Sequence, residues 1–260
     1  MTTRLHPLTG AIIACAALAL LVCADPIAAA ERCPPTLELE METGPVWQTV
    51  NDLQIPNSDA GTRFSLVDLV GGGPEFVHRT YLTWHIDERH SLRGLYAPLS
   101  IEEAGTPAGP LTFNGDDFTA GAETSATYRF NSYRLTYRWL WRDGESWRWR
   151  IGFTAKIRDA RVRLRQGALV STKDDVGFVP LLHIDGVRDL GAGWHLSLDL
   201  DALAGGPGRA EDLAVKLGYT FAPGWRLCAG YRMLEGGADV DEVYSFAWLH
   251  YAVVSLAVAI

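Results

Sequence analysis

Residues 133–141 read Tyr133-Arg134-Leu135-Thr136-Tyr137-Arg138-Trp139-Leu140-Trp141. Tyr133, Leu135, Tyr137, Trp139 and Trp141 fall on one side of an extended chain, and Arg134, Thr136 and Arg138 on the other. A period of two is the geometry of a strand. Both faces are extreme: one is large and mostly aromatic, the other polar and mostly basic. The following segment repeats the pattern, with Trp147, Trp149, Ile151, Phe153, Ala155 and Ile157 against Arg148, Arg150, Thr154, Lys156 and Arg158.

Working outward, the same alternation recurs at 194–201, 212–221, 225–232 and 253–260. Weaker examples near 37–50, 76–87, 90–102 and 177–188 bring the count to ten. No long segment carries a 3.6-residue apolar period, and no run of 18 apolar residues follows the amino-terminal region, so membrane-spanning helices are not expected. Short turns at 87–90, 142–146, 188–193 and 222–224 alternate with long loops at 51–74, 102–125, 166–176, 204–211 and 235–244. Short turns at one end and long loops at the other are the layout of an outer-membrane barrel, with an even strand number and both termini on the short-turn side.

A β-sandwich also alternates, but it has no use for a ring of tryptophans. Seven of the nine Trp (84, 139, 141, 147, 149, 194 and 225) lie within a few residues of a short turn. On a barrel they form an aromatic girdle at one membrane interface; on a soluble protein they would drive aggregation. The expected fold is therefore all-β, an antiparallel transmembrane β-barrel of ten strands, or eight if the first segments stand outside the wall. The chain ends Ala-Val-Ala-Ile260, without the terminal aromatic that barrel-insertion machinery reads, which is expected to make insertion less efficient.

The whole chain has 260 residues, 48% of them hydrophobic, near the globular average. A net charge of -8 and a pI near 5.3 argue against a nucleic-acid partner, which needs a basic face. Residues 1–30 read as a cleaved signal peptide: Arg4, the apolar run 11–23, then Ala28-Ala29-Ala30, leaving a barrel domain at 31–260. A cut after Ala24 is the rival site, and Cys23 suggests lipidation, against which the bulky Val22 counts. Arg4 and Asp25 leave together, so the mature charge stays at -8. Cys15 and Cys23 leave as well. Cys33 and Cys228 remain, either paired or both free, and two cysteines make no disulfide scaffold.

The inward set carries both signs. Arg79, Arg134, Arg138, Arg148, Arg150, Lys156, Arg158, Lys216, Arg226 and Arg232 oppose Glu38, Glu40, Glu42, Asp185, Asp199, Asp201 and Asp212. Ten strands enclose far less space than the roughly 16 of an open porin. The charges therefore either pair across a filled lumen or line a narrow pore with an arginine stripe. The long loops are acidic, against only Arg63, Lys173 and Arg209. Asp239, Asp241 and Glu242 form the densest group, a weak Ca²⁺ candidate whose spacing fits no EF-hand loop; a solvated acidic loop is the plainer alternative, and no cofactor is otherwise expected.

For catalysis, His183-Ile184-Asp185 and Asp199-Leu200-Asp201 flank one turn, and in simple register His183 faces Asp199. A histidine held by a carboxylate is what a general base needs. Omptin-like proteases use such pairs at the outer rim, whereas here they fall in mid-strand, where a buried ion pair explains them as well. No GxSxG, HExxH, phosphate loop or CxxC occurs.

The stretches Phe130-Asn-Ser-Tyr-Arg-Leu-Thr-Tyr-Arg138, Gly152-Phe-Thr-Ala-Lys-Ile-Arg-Asp-Ala160, Gly177-Phe-Val-Pro-Leu-Leu182, Gly208-Arg-Ala-Glu-Asp212 and Leu234-Glu-Gly-Gly-Ala-Asp-Val-Asp-Glu-Val-Tyr244 resemble a family of bacterial outer-membrane β-barrel proteins. In plan the chain is also similar to small OmpW-like and OmpA-like barrels. The resemblance implies the fold and an outer-membrane location; it carries over no catalytic residue. The expected protein is a monomeric barrel among outer-membrane lipid and lipopolysaccharide, placed there by the insertion machinery. Its expected role is structural or binding, or that of a narrow pore for small solutes. The alternative is an enzyme acting on lipid A or phospholipid, with an omptin-like protease behind it.

Overall fold

The computed structural model describes residues 36–206 and 208–260; the expected signal peptide at 1–30 and Cys33 lie outside the described residues. The strands are β1 (Thr36–Gln54), β2 (Phe64–Ser65), β3 (Glu75–His85), β4 (His90–Ala97), β5 (Ser100–Gly105), β6 (Leu111–Phe113), β7 (Asp116–Phe118), β8 (Thr124–Asp143), β9 (Trp147–Gln166), β10 (Leu169–Gly191), β11 (Trp194–Gly205), β12 (Gly208–Ala222), β13 (Trp225–Val240) and β14 (Val243–Ala259), with one short helix, α1 (Leu66–Val70). Among the described residues no helix is long and apolar enough to cross a membrane.

The wall runs β1, β3, β4 with β5, then β8 to β14 in order, every neighbour antiparallel, and β14 returns to pair with β1 from Glu38↔Ala259 to Gln54↔Tyr244. Counting β4 and β5 as one interrupted strand, since both pair with β8, this is a closed barrel of ten strands. The interruption falls at Pro98, which has no N–H to give the ladder. Closure leaves no unpaired sheet edge, the condition for spanning lipid with strands.

Side-chain parity holds through the wall. On β8, Tyr133, Leu135 and Tyr137 are exposed, while Ser132, Arg134, Thr136 and Arg138 are buried. On β9, Phe153 is 67% exposed beside buried Thr154 and Lys156. From Trp147 to Ile157 the outward apolar residues cover ten positions, about 33 Å of strand, or about 25 Å of height once tilted by roughly 40°. That matches the apolar band of an outer-membrane barrel. Trp84, Trp194 and Trp225 face out at the end where the termini lie, the near end. Trp147 stacks on Trp149 at 4.8 Å, and the Trp149 ring lies across Gly186, where any added Cβ would collide with it.

Three expected long loops are not loops. The segments 166–176, 204–211 and 235–244 are the far ends of hairpins whose strands continue past the apolar band; β8, β9 and β10 reach 20, 20 and 23 residues. Within those segments only Ser171 is buried among the described residues, so the alternation that marks a half-buried strand fades although the strand does not.

The two remaining loops, 51–74 and 102–125, carry a plug. The β6–β7 hairpin turns at Asn114-Gly115, with φ of 52° and 88°, the pair of positive angles a two-residue hairpin turn demands. Ser65 Oγ accepts the Asp68 N–H to cap α1. Ile55, Leu66, Leu69, Leu111, Phe113 and Phe118 from these segments are buried against Val46, Leu99, Ile101, Tyr128, Leu164, Leu249 and Tyr251 of the wall. Polar contacts fasten the plug at its rim. The Asn114 N–H donates to the Ile55 carbonyl at 2.8 Å, Ser171 Oγ donates to the Phe113 carbonyl at 3.3 Å, and the Gln166 amide bonds Thr119 in both directions.

Candidate functional site

The inward side chains meet in one charge network on the near side of the plug. Asp212 of β12 is its centre. Arg79 (β3) lies 2.9 Å away and Arg134 (β8) 2.7 Å away, and Arg232 (β13) bonds the second carboxylate oxygen. Arg232 also donates to Glu42 of β1 at 3.0 Å, and Lys216 bridges Glu42 at 3.0 Å and Glu40 at 2.6 Å. The Tyr81 hydroxyl accepts from Arg79 at 3.0 Å and from Arg232 at 2.8 Å.

A second centre is Asp201 of β11. Its oxygens receive Arg134 at 2.8 Å, Thr154 at 2.7 Å and His183 Nδ1 at 2.8 Å. His183 reaches Asp185 through Nε2 at 3.1 Å, and Asp185 is met by Arg150 at 3.1 Å and Arg138 at 3.7 Å. Arg93 clasps Asp199 with both terminal nitrogens. Towards the near mouth Arg226 pairs with Glu38 at 2.7 Å. Buried charges persist only when paired and hydrogen-bonded. The exception is Lys156, buried with no carboxylate at ion-pair distance among the described residues; its ammonium lies 4.8 Å above the Phe130 ring.

Two expectations need correcting. His183 does not face Asp199: the register is His183↔Asp201 and Asp185↔Asp199, because the hairpin is closed by Gly191↔Trp194 and turns at Ala192-Gly193 instead of at Gly191, and the bulge between Asp189 and Gly191 takes back only one of the three positions this adds. Arg148 does not enter the lumen network. A bulge between Leu140 and Arg142 shifts the end of the β8–β9 hairpin, and Arg148 pairs with Asp143 on the surface with 54% of its side chain exposed. Arg158 sits higher, paired with Asp175 at the far-end margin. Among the acidic candidates, Asp239 accepts from Asn57 at 2.8 Å, while Asp241 and Glu242 form the exposed β13–β14 turn. Among the described residues no three His, Cys, Asp or Glu side chains converge to hold a metal ion.

His183 is also badly placed for proton transfer. Both ring nitrogens are taken by carboxylates, and its side chain is fully buried. A general base needs a nitrogen free to meet substrate.

Neither a family model nor a curated protein sequence matches the chain. Solved structures do. The outer membrane protease OmpT from Escherichia coli is similar over 89% of this chain and 99% of that one, with a TM-score of 0.55 and 9% identity. An outer membrane channel from Pseudomonas putida F1 aligns over 91% and 100% at a TM-score of 0.42 and 10% identity, and Neisserial surface protein A over 85% and 96% at 0.39 and 11%. At such identities the shared property is the fold. It is that of a bacterial outer-membrane β-barrel. With its outward apolar band, that fold places the chain in the outer membrane among lipid.

Within this barrel, three network members escape a reading by charge alone. Arg93 stands in a weak segment, yet its parity with buried Ser91, Leu95 and Ala97 marks it as inward. Tyr81 and Thr154 show no charge, but each binds two or more groups of the network.

Proposed function

We propose that the protein is a monomeric outer-membrane barrel with a closed lumen, exported by removal of residues 1–30, with a structural or binding role exerted through its surfaces. The observation that carries this reading is the double filling of the interior, a buried ion-pair network on the near side and an apolar plug beyond it. Between them the cavity lined by Arg79, Ser132, Leu234 and Tyr251 has about 10 Å³, room for roughly one water and not for a hydrated ion. Barrel convention sets the near end, with its short turns and termini, in the periplasm, and the plug at the cell exterior.

Planar-bilayer recordings test the reading. The wild type is expected to give no discrete conductance steps. Deleting 106–122 alone is expected to leave the barrel silent, because the ion-pair network still blocks it. Ion-selective steps from the intact protein would overturn the closed lumen and restore the pore.

A second reading, a hydrolase acting on outer-membrane lipid esters, is favoured by one cluster on the outer wall. Thr49 Oγ1 lies 2.9 Å from His250 Nε2, and His250 Nδ1 bonds the Tyr231 hydroxyl. A hydroxyl, an imidazole and a group that orients it form the pattern of an activated nucleophile. Thr49 is the extra residue of the bulge between Gln48 and Val50 on β1. In this reading the Thr49 hydroxyl attacks an ester carbonyl, His250 takes its proton and passes it to the departing alkoxide, and water then frees the acyl group. Mass spectrometry of lipid A and phospholipid after overexpression decides it: a deacylated species lost in His250→Ala supports the hydrolase, and an unchanged lipid profile with the wild type removes it.

A further inference from the structure

The face formed by β3, β4, β8 and β9 breaks the smoothness of the lipid-facing wall in two ways. The first is a groove of about 540 Å³ lined by Leu82, Gly94, Tyr96, Tyr133, Leu135 and Ile157. Its floor dips because Gly94 has no side chain where its neighbours carry leucine and tyrosine. The backbone does not require that glycine. Its φ lies outside the left-handed region, and a Cβ built on it would meet only the Leu82 carbonyl oxygen, at 3.8 Å. Tyr96 and Tyr133, stacked at 5.5 Å, form the upper rim, with His78 edge-on to Tyr96 at 6.2 Å.

The second feature stands on the same strands just beyond the apolar band. Arg129 of β8 and Arg161, Arg163 and Arg165 of β9 lie on the outward face of the wall. Arg129 is held by Asp159 at 2.7 Å, and Arg161 by Asp174. Arg163 and Arg165 are exposed and have no carboxylate at ion-pair distance among the described residues; Arg165 only donates to the Gly167 carbonyl at 3.4 Å. On β5, β8, β9 and β10 the outward acids are Asp159, Asp174 and Glu102. A cationic excess here runs against the net charge of -8. Arg161 to Arg165 stand four to eight residues beyond Ile157, about 13 to 26 Å along the strand and about 10 to 20 Å in height.

An apolar slot inside the outer leaflet, with guanidinium groups farther out on the same strands and those of Arg163 and Arg165 without a carboxylate, is complementary to one class of molecule. We propose that this face docks a phosphorylated, multiply acylated glycolipid of the outer leaflet, one acyl chain lying in the groove over Gly94 and the phosphates meeting Arg161, Arg163 and Arg165. Guanidinium forks match phosphate oxygens two at a time, and chain and headgroup binding reinforce each other because one molecule supplies both. The inference does not depend on the lumen being closed.

The test uses protein extracted from the outer membrane and moved into phosphatidylcholine nanodiscs. It is titrated with diphosphorylated lipid A, the same lipid after dephosphorylation, and phosphatidylglycerol. Diphosphorylated lipid A is expected to bind about tenfold or more tightly than either of the others. Arg163→Ala with Arg165→Ala is expected to lower that affinity about tenfold, since each lost charged hydrogen bond is a large fraction of a headgroup contact. Gly94→Leu, which fills the groove without backbone collision, is expected to do the same. Unchanged melting of both variants confirms that neither effect is misfolding; a variant that melts early is replaced by Arg163→Gln with Arg165→Gln, or by Gly94→Val. Equal affinity for the three lipids overturns the site. So does an arginine effect without a Gly94 effect, which assigns the patch to a soluble anion, or the converse, which leaves a general acyl slot.

Discussion

Around Asp212 the barrel is filled by charged side chains reaching in from the wall; around Phe113 it is filled by apolar side chains carried in on separate segments of chain. The two regions lie in the same tube and solve the same problem, yet their energetics differ in kind. In the first, Arg79, Arg134 and Arg232 come from three strands to one carboxylate, so each member is stable only because the others are present. In the second, Phe113 and Phe118 gain from burial in proportion to the area they cover, whichever apolar neighbour covers it. Wall-borne filling is therefore interdependent, and inserted filling can be lost one residue at a time.

The largest expected effect breaks the network at its centre. Asp212→Ala leaves three buried guanidinium groups without their shared anion and is expected to destabilise the barrel by about 4 kcal/mol, read as a lower urea midpoint in lipid vesicles. A barrel of undiminished stability would show that water or rearranged partners replace Asp212. Next comes the plug. Phe113→Ala is expected to cost about 3 kcal/mol, but locally, so amide exchange across 106–122 should quicken about a hundredfold while β8 to β14 keep their protection. Loss of protection throughout would mean that plug and wall fold as one unit.

A smaller effect sharpens the contrast. Arg93 and Asp199 form a nearly closed pair. Arg93→Leu or Asp199→Leu alone is expected to cost about 3 kcal/mol, and the two together about 1, a coupling the apolar plug should not show between Phe113 and Phe118 beyond direct contact. Additive losses in the Arg93–Asp199 cycle would refute interdependence. The smallest effect belongs to Arg148→Ala, whose exposed pair with Asp143 is expected to contribute less than about 0.5 kcal/mol; a loss above 1 kcal/mol would place Arg148 functionally with the lumen after all.

The legibility of the chain follows the same division. Alternation at 133–141 and 147–158 was readable because parity is local: wherever one face meets lipid and the other the lumen, every second residue must change character. That also separates Arg134 and Arg138 from Tyr133 and Tyr137 without any knowledge of neighbours. At the far hairpin tips almost no side chain is buried on either face, and the ends of β10 to β14 look like acidic loops. The plug segments were equally opaque, since short strands and a five-residue helix carry too few residues to show a period.

By itself, then, the order of residues determined the fold class and the alternation along the wall strands, because both depend only on a residue and its neighbours two positions away. The tertiary structure decided which charges meet. The position of the turn at 192–193 set His183 against Asp201, a bulge on β8 set Asp143 against Arg148, and closure of β14 on β1 brought Glu42 to Arg232 across 190 residues of chain. Register and closure are sums over the whole ring of strands. No local pattern carries them.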